Sequence, residues 1–247
     1  MTRSKGLSLA KTRATEKARA TAAEANDDGK AQRQASQTDQ AYQRLEELIV
    51  TLEIAPGTVL TEQMLTQMLD IGRTPIREAL QRLALEGLVV ILPRRGILVS
   101  AINVRSQLEL LRLRREIERL MARYAALRCT APERQHFHKL AEQMKQAASD
   151  NDDVGFMRLD QELNLLVAKT CRNEYAQKAI RLMSGLSRRF WYQHYKQALD
   201  LPRCARLHAA LAETIAGGDG DAAAAKSDAL VDYIQEFTRA TLEEDRA

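Results

Sequence analysis

The sequence predicts a mainly α-helical protein in two parts: an N-terminal winged helix-turn-helix, made of three helices and a β-hairpin wing, and a C-terminal antiparallel all-α bundle. Three observations predict it. Apolar residues recur at helical spacing along most of the chain. One β-branched run, Leu88-Val89-Val90-Ile91-Leu92, sits between Gly87 and Pro93 and reads as a strand. Beyond residue 102 only Pro132 and Pro202 punctuate the helical pattern, and no strand-like alternation occurs. The 247 residues suffice for one large domain or two ordinary ones, each with a core. With 45% hydrophobic and 28% charged residues the composition is that of a globular protein, and no apolar run approaches the roughly 18 residues of a membrane helix.

In chain order, residues 1–38 come first. They carry eight basic and four acidic side chains, so the whole formal excess of +4 lies there and the remaining chain balances at 29 of each sign. With Leu7 and Leu9 as its large aliphatic side chains, this stretch cannot bury enough surface to offset ordering and reads as a disordered basic arm. It is either a solvated tail or a weak phosphate contact. It lacks the apolar core of a secretory signal, so a cytoplasmic location is expected. Cys129, Cys171 and Cys204 are odd in number and widely spaced, which suits reduced thiols better than a disulfide framework or a metal knuckle.

The DNA-binding part is expected over 39–101. Tyr42, Leu45, Leu48, Ile49 and Leu52 mark a first helix, ended by Ala55-Pro56-Gly57. A second runs from Thr61, as N-cap, to about Leu69, with Leu60 and Leu65 stapling its start and Met64, Leu65, Met68 and Leu69 facing inward. The third covers roughly Arg73 to Glu86, with Pro75 harmless in its first turn. Its apolar arc is Ile76, Ala79, Leu80 and Leu83; Thr74, Arg77, Glu78 and Gln81 lie opposite, with Arg73 at the edge. Pro93-Arg94-Arg95-Gly96 turns the chain into the returning strand Ile97-Leu98-Val99. Arginine and threonine at a helix N-terminus suit phosphates and base edges in a major groove, and arginines on a hairpin tip suit phosphates or a narrow minor groove. Residues 39–101 nevertheless hold six basic and eight acidic side chains, so the case for DNA rests on placement rather than net charge.

The run PGTVLTEQMLTQMLDIGRTPIREALQRLALEGLVVILPRRGILVS, above all RTPIREAL, LALEGLV and PRRG, closely resembles the DNA-binding domain of the GntR family of bacterial transcription regulators. The resemblance implies DNA contacts by Thr61, Glu62, Gln63, Arg73, Thr74, Arg77, Arg94, Arg95 and Gly96. Gln63 stands where many relatives carry arginine, and Asp70 and Gly72 replace the usual glycine and serine, which weakens the cap of the third helix.

Residues 102–247 are expected to form the bundle, with helices near 104–128, 132–149, 152–171, 174–196, 202–216 and 221–244. The segments LRLRREIERLMARYAAL, FMRLDQELNLLVAKTCRNEYA and RLHAALAETIAGGDGDAAAA resemble the FCD ligand-binding domain of the FadR-like branch of that family. The resemblance implies a divalent metal on one aspartate and three histidines. Matched residue by residue, those positions are Asp160, Asn164, His208 and Asp232, so two of the three imidazoles are replaced. An oxygen-rich set of this kind would favour Mg²⁺, Mn²⁺ or Ca²⁺ over Zn²⁺ or Ni²⁺. Three readings stay open: a metal site, direct polar contacts to an organic effector, or a structural polar cluster. Arg114 falls where relatives place an arginine for a carboxylate effector. Arg188 to Tyr195 gather four of the eleven aromatics, Trp191 among them, with one side facing the core or an effector cavity and the arginines facing solvent.

No nucleophile-elbow, phosphate-loop, zinc-protease or dinucleotide glycine pattern occurs, so an enzyme is not expected. The expected function is a homodimeric transcription regulator, repression being the commoner mode of that family. It would bind a near-palindromic double-stranded operator and answer to a small effector, such as a carboxylate, with no membrane partner. The alternative is a metabolite or metal sensor whose winged helix has lost DNA binding.

Overall fold

The computed structural model describes residues 36–198 and 201–244, so the basic arm, apart from its last three residues, lies outside the described residues. Helix α1 spans 36–50 and buries Ala41, Tyr42, Leu45, Ile49 and Val50. It ends before Ala55-Pro56-Gly57, because Leu52 already adopts a left-handed backbone with φ 65°. The chain then forms β1 (Val59–Leu60), α2 (Glu62–Leu69), α3 (Arg73–Leu85), β2 (Val89–Leu92) and β3 (Gly96–Val99). The three strands make one antiparallel sheet in the order β1-β3-β2, with Leu60 opposite Ile97 and Leu92 opposite Gly96. β1 is the element the sequence reading missed: two residues carry no periodicity.

Local chemistry sets the ends of these helices. Thr61 Oγ1 accepts from the Met64 amide at 3.2 Å and caps α2. Gly72 caps α3 with no side-chain hydrogen bond, as expected where serine is replaced. Leu65 and Leu69 of α2 are buried, but Met64 and Met68 are 46% and 49% exposed, contrary to the expected inward set. α2 packs against α3, and an eight-residue helix has room for a narrow apolar stripe. Gly96 has φ 106°, and a side chain there would bring its Cβ within 2.5 Å of the Leu60 carbonyl oxygen. The close pairing of β1 with the wing therefore needs glycine at this position.

Six helices follow: α4 (Val104–Arg128), α5 (Ala131–Asp150), α6 (Asp153–Thr170), α7 (Glu174–Ala198), α8 (Leu201–Gly217) and α9 (Gly220–Glu244). Asn103 and Asp152 cap α4 and α6 through their side chains, and Thr130 with Glu133 forms a capping box on α5. α4 lies along α9 and α5 along α8. Their shared core includes Met121, Phe137, Leu140, Met144, Phe156, Leu163, Ala205, Ala212 and Ile215. All three cysteines are buried and free. Among the described residues no helix is long and apolar enough to cross a membrane.

A second core fills the N-terminal part with Leu45, Ile49, Leu65, Ile76, Leu80, Leu83, Leu88, Ile97 and Val99, and Leu186 of α7 packs against it. Gly185 makes that approach possible: a Cβ there would lie 2.8 Å from a Leu88 methyl. Polar groups are drawn into this core as well. Glu86 is buried and accepts a 2.8 Å hydrogen bond from the Tyr42 hydroxyl. Burial raises its carboxyl above the usual 4.5, outweighing the Tyr42 hydrogen bond. A raised carboxyl contributes stability that is complete below about pH 4.5 and is lost as pH rises through the folded-state value. Urea unfolding of Glu86→Gln and wild type at about pH 5 and about pH 8 should show the stability difference moving in the variant's favour at the higher pH. A difference independent of pH would contradict the assignment.

Candidate functional site

Two places in the molecule gather chemistry. The first is the outer end of the winged helix. Arg73, Thr74 and Arg77 are exposed on the first turns of α3, and Gln63, Arg94 and Arg95 are exposed on α2 and the wing tip. Arg77 is not free to wander: its Nε donates to Glu62 Oε1 at 3.0 Å and a terminal nitrogen to Glu62 Oε2 at 2.8 Å. That bidentate pair ties α3 to the start of α2 and holds the Glu62 carboxyl below its usual range. Thr61 and Glu62 directly follow β1, which pairs with the strand opened by Gly96. The fold thus brings the start of α2, the first turns of α3 and the base of the wing to one exposed region. Gly96 has a backbone role there through its contact with Leu60. Arg94 sits at the tip with φ 63°.

The second place is in the bundle. Asp160 on α6 and His208 on α8 form an ion pair, Oδ1 to Nε2, at 3.0 Å. Asn164, one turn beyond Asp160, donates to the same carboxylate oxygen at 3.1 Å. The His208 Nδ1–H donates to the Cys204 carbonyl at 2.8 Å, so both ring nitrogens are engaged. Phe156 meets the imidazole edge-on at 5.2 Å, and Trp191 lies 6.3 Å from Phe156. Burial alone would raise the Asp160 carboxyl, but the His208 hydrogen bond, with the charges of His208, Arg114 and Arg188, holds it below the ordinary value. Burial likewise opposes charge on His208, yet Cys204 and Asp160 together hold the imidazole well above its usual 6.5.

Arg114 is mostly buried and is held by Glu118, one turn along α4, at 2.6 Å. Asp232 is placed elsewhere: its side chain is 59% exposed and pairs with Arg115 on the outer seam of α4 and α9. The four residues of the family-type metal set are therefore not brought together. Asp160 is already neutralised by an imidazole that has no free nitrogen. Among the described residues no group of three or more His, Cys, Asp or Glu side chains could hold a metal ion. The residues present do not fit that metal.

α7 also departs from expectation. Its arginines were expected in solvent, but Arg189 is 1% exposed. One of its terminal nitrogens donates to the Ser100 carbonyl at 2.9 Å and the other to that of Ala101 at 3.3 Å. Arg188 pairs with Glu46 of α1 at 3.2 Å while also acting on Asp160. Both residues are functional candidates that the sequence reading missed. An arginine pair in an otherwise aromatic run was the only available signal, and helical periodicity assigned both side chains to water.

The comparisons with known proteins agree with this geometry. Residues 37–99 match the family described as bacterial regulatory proteins, gntR family, and residues 109–233 match the FCD domain. The HTH-type transcriptional repressor RspR of Escherichia coli (strain K12) is 27% identical over 199 residues, covering 81% of this chain and 86% of that protein. An uncharacterized HTH-type transcriptional regulator from an unstable DNA locus of Streptomyces ambofaciens is 44% identical over 62 residues, 25% of this chain and 26% of its own. Among solved structures, E. coli McbR/YncC superposes with a TM-score of 0.71 at 19% identity, covering 83% of this chain and 98% of that one. A putative GntR regulator from Rhodococcus sp. RHA1 gives 0.59 at 18% identity, with the same coverage of both chains; at such identities both show the fold alone. With the FCD match spanning half of its length and the gntR match coinciding with its winged helix, the protein is a DNA-binding transcription regulator of the gntR family that carries a C-terminal FCD domain.

Proposed function

We propose that this regulator reads a near-palindromic operator as a homodimer and is controlled by a small molecule that contacts the bundle cluster directly, without a metal. The observation that carries the DNA part is the Glu62–Arg77 pair. It holds one arginine extended from the recognition helix beside exposed Arg73 and Thr74, so less side-chain freedom is lost when a groove is entered. Arg94 and Arg95 supply phosphate contacts from the wing, and Thr61 and Gln63 do so from the start of α2. Self-association is supported by the stripe Leu113, Leu120, Tyr124 and Leu127, which leaves large apolar side chains exposed along one side of α4. Repression is the mode of the relative RspR and is the reading we adopt.

For the effector, the cluster offers three positive groups, Arg114, Arg188 and His208, around the single inward carboxylate of Asp160. Glu118 and Glu46 occupy the two arginines from outside. A carboxylate effector that takes over Arg188 would draw it from Glu46, the partner on α1, and so alter the hold of the bundle on the DNA-binding part.

Two outcomes follow. Arg77→Ala should lose roughly 1–3 kcal/mol of operator affinity in a mobility-shift titration if the arginine reads a base. Unchanged binding would remove that role. Metal analysis of protein purified without chelator should find negligible, equal content in wild type and Asp160→Ala. One equivalent of metal in the wild type that disappears in the variant would overturn the metal-free reading.

A further inference from the structure

A cavity of about 250 Å³ lies where the two parts of the molecule meet, apart from the Asp160–His208 cluster. Its wall comes from the winged helix and linker (Gly87, Ala101, Ile102), from the start of α4 (Asn103, Ser106, Gln107) and from α7, where Arg189 lines it. Four features of this wall bear on what it would hold. The guanidinium of Arg189 is buried, and burial alone pulls its pKa down to about 10, with no acidic group offsetting the charge. Its two terminal nitrogens are used by the linker carbonyls, but its Nε is a buried donor with no partner. The 25-residue helix α4 begins at this cavity; Asn103 caps it by accepting from the Ser106 amide, but its first turn carries no acidic side chain to answer the positive end of its dipole. Gln107, buried behind Ser106, reaches Ser187 of α7 at 3.4 Å, while Asn103 and Ser106 remain exposed on the cavity wall.

A buried cation without a counter-charge and a helix N-terminus meet at one cavity wall that also carries the polar side chains of Asn103 and Ser106, a set complementary to a single negative group. We propose that this interdomain cavity is a second ligand site, which takes a small oxyanion, a carboxylate or phosphate group, between Arg189 and the first turn of α4. The volume suits a compact anion rather than a drug-sized molecule. Because the wall belongs to both parts, an anion bound there fastens the winged helix to the bundle. The site stands independently of the effector reading given above.

The experiment is thermal unfolding of the full chain with inorganic phosphate or sodium acetate titrated at constant ionic strength against chloride. The two arms distinguish the kind of oxyanion. Wild type should show a saturable rise in the unfolding midpoint, by about 3–6 °C, in at least one arm. Arg189→Met should lose the response. Because that variant can also lose fold, a second one is needed. Ser106→Asp places a carboxylate in the first turn of α4 on the same cavity wall, so it should raise the midpoint without added anion and abolish the response. Arg114→Met, in the bundle cluster, should keep it. A midpoint in wild type that follows only the general salt effect, or a response equally large in Ser106→Asp, would overturn the proposal.

Discussion

The structure depends on one constraint: helix α7 must satisfy two environments at once. Toward the bundle it places Trp191 by Phe156. Toward the winged helix it presents Gly185, Leu186, Arg188 and Arg189. Glycine lets the helix approach Leu88, Leu186 enters the N-terminal core, and Arg189 donates to two backbone carbonyls of the linker. A buried guanidinium is costly to hold without a counter-charge. Its presence here converts a connecting segment, Ser100-Ala101, into a fixed joint. Arg188 extends the same joint to α1 through Glu46.

Electrostatics elsewhere follows placement rather than totals. The winged helix carries more acids than bases, yet its exposed outer end displays arginines, because Glu62 is bound up with Arg77 while Glu86 is buried against Tyr42. Acids that are paired or buried do not repel phosphate as free ones would. The same economy operates in the bundle, where Asp160 and His208 neutralise each other and leave the character of the cluster to the arginines around it.

Much of this was legible in the sequence. The six bundle helices lie within two residues of where periodicity and breakers put them, since long amphipathic helices repeat their signal many times. Thr61 as a cap, the burial of Leu60 and Leu65 and the wing turn were legible from local chemistry, which a few adjacent residues determine. What escaped was decided by tertiary contact. β1 exists only through its pairing with β3. Met64 and Met68 look like core residues until the narrowness of the surrounding cover is known. Asp232 lies on the aligned position of a ligand, but its side chain is held by Arg115, which no spacing along α9 could reveal. Arg189 is an arginine in the interior, a choice that depends on two carbonyls nearly ninety residues away.

That α7 joins the two parts into one cooperative unit can be measured directly. Trp191, the single tryptophan, reports on the bundle, and Leu80 is buried in the core of the winged helix. Leu80→Ala removes apolar volume at a site where about 2–5 kcal/mol is the usual loss. If α7 couples the parts, the Trp191 fluorescence transition in urea should move to lower denaturant along with the far-ultraviolet circular dichroism. A Trp191 transition left at its wild-type midpoint, with an earlier separate loss of helix signal, would contradict the coupling.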